Sequence, residues 1–126
     1  MTPKRILIVD DESGFTRLMK LTLEKTGGFL VHEENEADRA HSTARMFRPD
    51  VILLDIVMPK LDGGDVAAKL RADEELKHIP IIFLTAIVSD KEASSSDLVG
   101  GFPFLAKPIS LDRLIECIEK HVPAGN

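Results

Sequence analysis

Val51-Ile52-Leu53-Leu54-Asp55-Ile56-Val57-Met58-Pro59 runs four apolar residues into an acid, adds further apolar residues and stops at a proline. A continuous apolar run of this length predicts a strand buried on both faces, as in a parallel sheet. The Asp then stands at the carboxyl edge of that sheet, half out of the core. A carboxylate in such a place is costly unless it is paired, hydrogen-bonded or bound to a cation. Asp55 is the residue that the rest of the chain has to account for.

On the N-terminal side, Lys4 to Val9 predicts a first buried strand, ending in Asp10-Asp11-Glu12. Ser13 is suited to cap a helix whose inward positions Phe15, Leu18, Met19 and Thr22 fall at i, i+3, i+4 and i+7, and Gly27-Gly28 stops it. Phe29 to Glu33 is a short second strand, with Glu33-Glu34 expected as a solvated strand end. Asn35 has the character of an N-cap, before a helical face made of Ala37, Ala40, Ala44 and Phe47 that Pro49 ends.

On the C-terminal side, Asp62-Gly63-Gly64 predicts a turn, and Val66, Ala67 and Leu70 line a short third helix. Pro80 opens a fourth strand, Ile81 to Thr85. Across 86–101 the run Ser94-Ser95-Ser96 is a poor helix interior, so a short or mobile fourth helix is expected there. Phe102 to Leu105 is a fifth strand, and Pro103 inside it argues for the sheet edge. After Lys107-Pro108, Ser110 caps a last helix with Leu111, Leu114, Ile115 and Ile118 inward.

Strand and helix alternate five times, which predicts an α/β fold: a five-stranded parallel sheet with helices on both faces. The 126 residues, 44% hydrophobic and 29% charged, suffice for one core without disulfide or metal staples, so a single domain over 1–126 is expected, with a tail from about 123. The net charge of −5, the absence of any Lys/Arg cluster beyond a pair, and the lack of Trp and Tyr argue against direct nucleic-acid binding by this domain. The longest apolar stretch, Ile79 to Val88, is about half of the roughly 20 residues a membrane span needs. No signal peptide opens the chain, and the lone Cys117 fits a reducing compartment; a cytoplasmic location is expected.

In open α/β sheets, ligands bind beyond the carboxyl ends of the strands. Asp10 and Asp11 follow the first strand, Asp55 the third, Thr85 the fourth and Lys107 the fifth. Three converging carboxylates repel one another. A hard divalent cation relieves this, and Mg²⁺ suits a site of a few carboxylates and several waters. Lys107 and the Thr85 hydroxyl beside a metal-bound carboxylate make a cradle for a phosphoryl group carried by that carboxylate. Taken singly, each residue has a plainer reading: Asp10-Asp11 as a capping pair, Asp55 as a turn acid, Thr85 as a strand-end hydroxyl, Lys107 as a solvated side chain. All five at matching strand ends outweigh those readings. His32, His41, His78 and His121 lack metal-ligand spacing and are expected on the surface, and Cys117 in plain packing.

Ile-Leu-Ile-Val-Asp10-Asp11-Glu12, Asp55-Ile-Val-Met-Pro59 with Asp62-Gly63, Leu84-Thr85-Ala86 and Phe104-Leu-Ala-Lys107-Pro108 together resemble a response-regulator receiver domain of two-component systems, over essentially the whole chain. The likeness is to a single receiver of the chemotaxis-regulator type. It implies the flavodoxin-like (βα)5 fold with strand order 2-1-3-4-5. It also implies a phosphoacceptor switch in which Asp55 takes a phosphoryl group from a histidine kinase or phosphotransfer protein. In that resemblance Mg²⁺ is held by Asp11, Asp55 and the backbone carbonyl of Val57, with Asp10 orienting a metal-bound water. Thr85 and Lys107 bind the phosphoryl oxygens. Thr85 and Phe104 form the switch, and the partner-binding face lies around helix 4, strand 5 and helix 5. The Lys107-Pro108 bond is expected to be cis. The chain is then no enzyme beyond its own phosphorylation and dephosphorylation, and a monomer or weak dimer.

Phe104 stands where the family often has Tyr and cannot donate a hydrogen bond, so its part in switching rests on packing. Gly101 replaces a frequent Ala. The positions that tune phosphoryl lifetime, two residues past Asp55 and two past Thr85, are Val57 and Ile87. Both are apolar, which implies slow self-dephosphorylation. The start and short tail favour a stand-alone receiver over one cut from a longer regulator. Two rival readings remain open: a Mg²⁺-dependent phosphohydrolase with an Asp nucleophile, and a receiver that binds partners without phosphorylation. The first would want two acids two residues apart after the first strand, where this chain has adjacent ones.

Overall fold

The computed structural model describes residues 3–56, 63–85, 98–99, 102–107 and 109–122. Six strands, β1 (Lys4–Val9), β2 (Phe29–Glu34), β3 (Val51–Asp55), β4 (Ile81–Thr85), β5 (Leu98–Val99) and β6 (Phe102–Ala106), form one sheet in the order β2-β1-β3-β4-β6-β5. The first five in that order are parallel. This is the flavodoxin-like 2-1-3-4-5 arrangement that the alternation and the resemblance lead one to expect. The two-residue β5 is an addition: it pairs antiparallel with β6, Leu98 opposite Pro103 and Val99 opposite Phe102. Leu98 and Val99, inside the 86–101 segment, are therefore strand, and the fourth helix expected there otherwise falls outside the described residues. So does the 123–126 tail.

Side chains alternate across the sheet, and the alternation sorts them into two cores. Leu7, Val9, Ile52, Leu54, Ile81 and Phe83 face one layer, covered by a 3-10 turn (Ala37–Arg39), α2 (Ala40–Phe47) and α3 (Gly63–Arg71). Ile6, Ile8, Val51, Leu53, Ile82 and Leu84 face the other, covered by α1 (Ser13–Lys25) and α4 (Leu111–His121). Both faces of β3 are buried from Val51 to Asp55, as its unbroken apolar run requires. The small face of Ala37, Ala40 and Ala44 is buried, which lets that layer approach the sheet closely. Val66, Ala67 and Leu70 are buried under α3, and Leu114 and Ile118 under α4. Ser110 caps α4 as expected, its hydroxyl accepting from the Arg113 N–H at 3.2 Å.

Three local expectations are corrected. Glu12, not Ser13, is the N-cap of α1, and it caps through its backbone carbonyl, which accepts from the N–H groups of Phe15 and Thr16. The inner stripe of α1 is Thr16, Met19 and Leu23, while Leu18 is 58% exposed. Glu34 is buried rather than solvated: its carboxylate accepts from the Thr43 hydroxyl at 2.6 Å and from the Glu36 N–H at 3.0 Å. Edge strand β2 is protected by α1, because Val31 gives its N–H to Glu24 and its carbonyl accepts from Lys20, leaving those groups closed to an incoming strand.

Of the histidines, His41 is half-buried and lies 2.8 Å from Asp73. Asp73, in the turn after α3, ties that turn to α2. The Glu75 N–H is the largest cause holding its carboxyl down, to about 2 from an ordinary 3.8; burial opposes this, and Arg45 and His41 add to it. A lowered carboxyl contributes stability that is present above pH 3.8 and is lost as pH falls through about 2. Melting curves taken across that window should fall more steeply for the native chain than for Asp73→Asn; parallel acid limbs would show that this turn contributes nothing to acid resistance.

Candidate functional site

The strand ends bring three acids together. Asp10, Asp11 and Asp55 each offer a carboxylate oxygen, and all three oxygens lie within 4.8 Å of one another. Parity explains why two of them meet on one side. Asp10 continues the register of Ile8, and Asp55 that of Leu53, so both lean toward the α1 layer. Lys107 follows Leu105 by the same rule and arrives from β6 on that side. Asp10 is fully buried and Asp55 is 5% exposed, whereas Asp11 is open to solvent, so the trio has a closed floor and an open mouth.

Charge is the dominant force here. Like charges at this separation repel by on the order of 3 kcal/mol per pair at an effective dielectric near 20. Lys107 offsets part of this, with its Nζ 2.6 Å from Asp10 Oδ2 and 2.9 Å from Glu12 Oε1. Burial opposes the ammonium charge of Lys107. The hydrogen bonds that Lys107 donates to Asp10 and Glu12, with the charges of Asp10 and Asp55, outweigh that, and the group holds its proton above the ordinary lysine value of 10.5. One ammonium does not balance three carboxylates and Glu12. Hard oxygen donors, one of them solvent-facing, fit a small divalent cation that keeps several waters.

Asp10 is fixed from every side. Its N–H donates to Glu34, its carbonyl accepts from Asn35 Nδ2 at 2.7 Å, its Oδ1 from the Glu12 N–H at 2.9 Å, and its Oδ2 from Lys107. Asn35 also donates to the Thr16 hydroxyl, which itself donates to Glu33. Asn35 is thus a brace for the site and not the helix cap expected of it; Glu36 holds the cap position. Its role was findable, since the register Val9 to Glu34 puts the residue after β2 beside the residue after β1.

Gly63 is the other unforeseen member. Its N–H donates to the Ile56 carbonyl at 2.6 Å, and α3 begins hard against the end of β3. A Cβ on Gly63 would sit 2.5 Å from the Asp55 carbonyl oxygen and 2.8 Å from the Ile56 Cα. It and Gly64 belong to the first turn of α3, and Asp62 of the expected turn lies outside the described residues. Phe15, expected only in the core, also places its ring 4.4 Å from Lys107 Nζ.

Thr85 ends β4 in register with Ala106 on β6, one residue before Lys107. Its side chain, Val57, Ile87 and Pro108 lie outside the described residues, so the phosphoryl hydroxyl, the carbonyl ligand, the lifetime pair and the cis bond remain expectations. Phe104 is half-buried and packs against the core on the α2–α3 side, across the sheet from Lys107. Among the described residues no helix is long and apolar enough to cross a membrane.

A family model described as the response regulator receiver domain matches residues 6–119. The polar-differentiation response regulator DivK of Brucella anthropi is 34% identical over 120 residues, covering 95% of this chain and 97% of that protein. Among solved structures, the Vibrio cholerae chemotaxis protein CheY4 superposes with a TM-score of 0.82 at 26% identity, over 96% of this chain and all of that one. The BeF3-activated receiver domain of Klebsiella pneumoniae RstA gives 0.80 at 27% identity, over 96% of this chain and all of that one.

Proposed function

The chain belongs to the response regulator receiver domain family, whose members are phosphorylation-dependent switches of two-component signalling, and we propose that Asp55 is its phosphoacceptor. The observation that carries this is the acid trio within 4.8 Å at the strand ends, with the Lys107 ammonium beside it. A carboxylate oxygen of Asp55 attacks the phosphorus of a phosphohistidine on a histidine kinase or phosphotransfer protein. The new O–P bond forms as the P–N bond breaks, and the imidazole leaves with the electron pair. Lys107 offers its charge to the phosphoryl oxygens, and Thr85 offers a hydroxyl donor. Asp11, Asp55 and the Val57 carbonyl would hold Mg²⁺ directly, with Asp10 completing the metal site through a bound water, and the ion would supply neutralisation of carboxylate and phosphoryl charge. Asp10, pinned at its carboxylate, carbonyl and N–H, serves to orient a ligand water.

The chain catalyses its own phosphorylation and dephosphorylation and no other turnover. Thr85 and Phe104 shift together on phosphorylation and change the face built from the 86–101 segment, β6 and α4. A downstream protein is recruited there to the extent that it binds the two states with different affinity. We place the domain in the cytoplasm as a monomer or weak dimer, a single unit over 1–126.

The test is intact-protein mass after incubation with a small acyl-phosphate donor. One added phosphoryl in Mg²⁺, and none when the ion is chelated beforehand, is the expected result; no added mass in Mg²⁺ on a folded chain would sink the proposal. Val57 and Ile87 are both apolar, and neither can itself orient an attacking water. Val57→Asn with Ile87→Glu should therefore shorten the phosphoryl half-life by about tenfold or more, short of the roughly hundredfold at which a fully positioned proton acceptor begins. A half-life unchanged or longer in the double variant would remove that explanation.

A further inference from the structure

Among the described residues, Lys107 touches Asp10, Glu12 and Phe15, and they differ in how firmly they are held. Asp10 is fully buried and bonded at its carboxylate, carbonyl and N–H. Phe15 is packed against the core below α1. The Glu12 side chain is 66% exposed and reaches Lys107 at 2.9 Å. It takes no part in capping α1, which is done by the Glu12 backbone. Glu12 thus lays an exposed anion against Lys107, with no structural duty for its carboxylate among the described contacts.

Resting on the reading that Lys107 serves a phosphoryl group on Asp55, we propose that Glu12 is a competing counter-ion for Lys107, and that it lowers both the rate at which Asp55 is phosphorylated and the affinity of the site for a phosphoryl group. An ammonium has three donors, so Lys107 can keep Asp10 while it reaches toward Asp55. Glu12 then does two things. Its contact draws the ammonium toward the outer end of α1, and its charge cancels part of the field that a phosphoryl oxygen would feel. The Glu12 side chain is not needed to hold Asp10, because the bond to Asp10 Oδ1 comes from the Glu12 backbone N–H. Glu12 is a positioning residue: it touches Lys107 and acts through it.

The experiment uses the full chain with Glu12→Gln, which keeps the shape and removes the charge, and Glu12→Ala, which removes both. The first readout is the rate of phosphoryl gain from phosphoramidate in saturating Mg²⁺, where the Asp55 O–P bond forms and ammonia leaves as the P–N bond breaks. The second is the affinity for beryllofluoride, followed by amide NMR shifts. Both variants should gain phosphoryl about three- to fivefold faster and bind beryllofluoride tighter by a similar factor, the size of an exposed ion pair in water. A merely structural role would move both readouts the other way. Variants no faster and no tighter than a native chain that does gain phosphoryl would overturn this inference and leave the Asp55 reading standing. A native chain that gains none would overturn the reading beneath it as well.

Discussion

A Gly63→Val chain is expected to melt about 10 °C below the native one, since forced overpacking costs about 1–3 kcal/mol and each kcal/mol moves the midpoint of a domain this size by about 4 °C. The cause is where the clash falls. A Cβ would meet the Asp55 carbonyl oxygen at 2.5 Å and the Ile56 Cα at 2.8 Å, both backbone atoms that no side-chain rotation can move aside. Relief requires α3 to back away from the end of β3, which breaks the Gly63 to Ile56 hydrogen bond. The same shift carries the Asp55 main chain out of register with Asp10 and Lys107. Phosphoryl gain should therefore fall by at least about a hundredfold, the loss that a misplacement near 1 Å brings to reacting groups. Gly63→Ala should show the same sign with a smaller midpoint change. A valine variant that melts with the native chain and is phosphorylated normally would show that this close approach places no demand on the site.

Lys107→Ala should slow phosphoryl gain about a hundredfold, comparable to the removal of one preorganised donor aimed at developing charge. It should also destabilise the Mg²⁺-free chain. Asp10 is fully buried and would lose the cation 2.6 Å from its Oδ2. Breaking a buried pair by removing one partner costs about 3–5 kcal/mol, and about 2 kcal/mol is expected here because water reaches Lys107 beside the exposed Glu12. Mg²⁺ should then raise the melting midpoint of the variant by more than that of the native chain, since the ion takes over the lost neutralisation. The sign with pH follows from the raised Lys107 value. The pair's contribution is fully present below 10.5 and is lost as pH climbs through the higher folded value, so the difference between the chains should persist to pH 10 and shrink above it. Equal melting in the absence of Mg²⁺ would mean that Asp10 finds another partner.

The strands and the site acids were legible because their signals are local and strong. Runs such as Ile6 to Val9 and Val51 to Leu54 have one stable placement, buried on both faces, and an acid closing such a run can go only to the sheet edge. Helix faces were less legible. Leu18 fits the apolar period of α1 as well as Leu23 does, yet Leu18 is exposed and the buried stripe runs through Thr16, whose hydroxyl joins the polar network of Glu33 and Asn35. A polar residue at a core position is invisible to a hydrophobic pattern. Glu34 failed for the same reason: its burial depends on Thr43, nine residues on, supplying a hydroxyl. Gly63 looked like a turn glycine because a sequence does not display a close approach between an α3 start and a β3 end. Glu12 was visible in the acidic run, but its partner Lys107 is 95 residues away, and only the fold brings them to 2.9 Å.

The most direct measurement of the central claim locates the phosphoryl group. The Mg²⁺-loaded chain is treated with an acyl-phosphate donor and reduced with borohydride, which converts an aspartyl phosphate to homoserine, and the peptides are then weighed. Homoserine at position 55 alone, and none in an Asp55→Asn chain treated in parallel, is the predicted result. Homoserine at Asp10 or Asp11, or equal labelling of the Asp55→Asn chain, would contradict Asp55 as the acceptor.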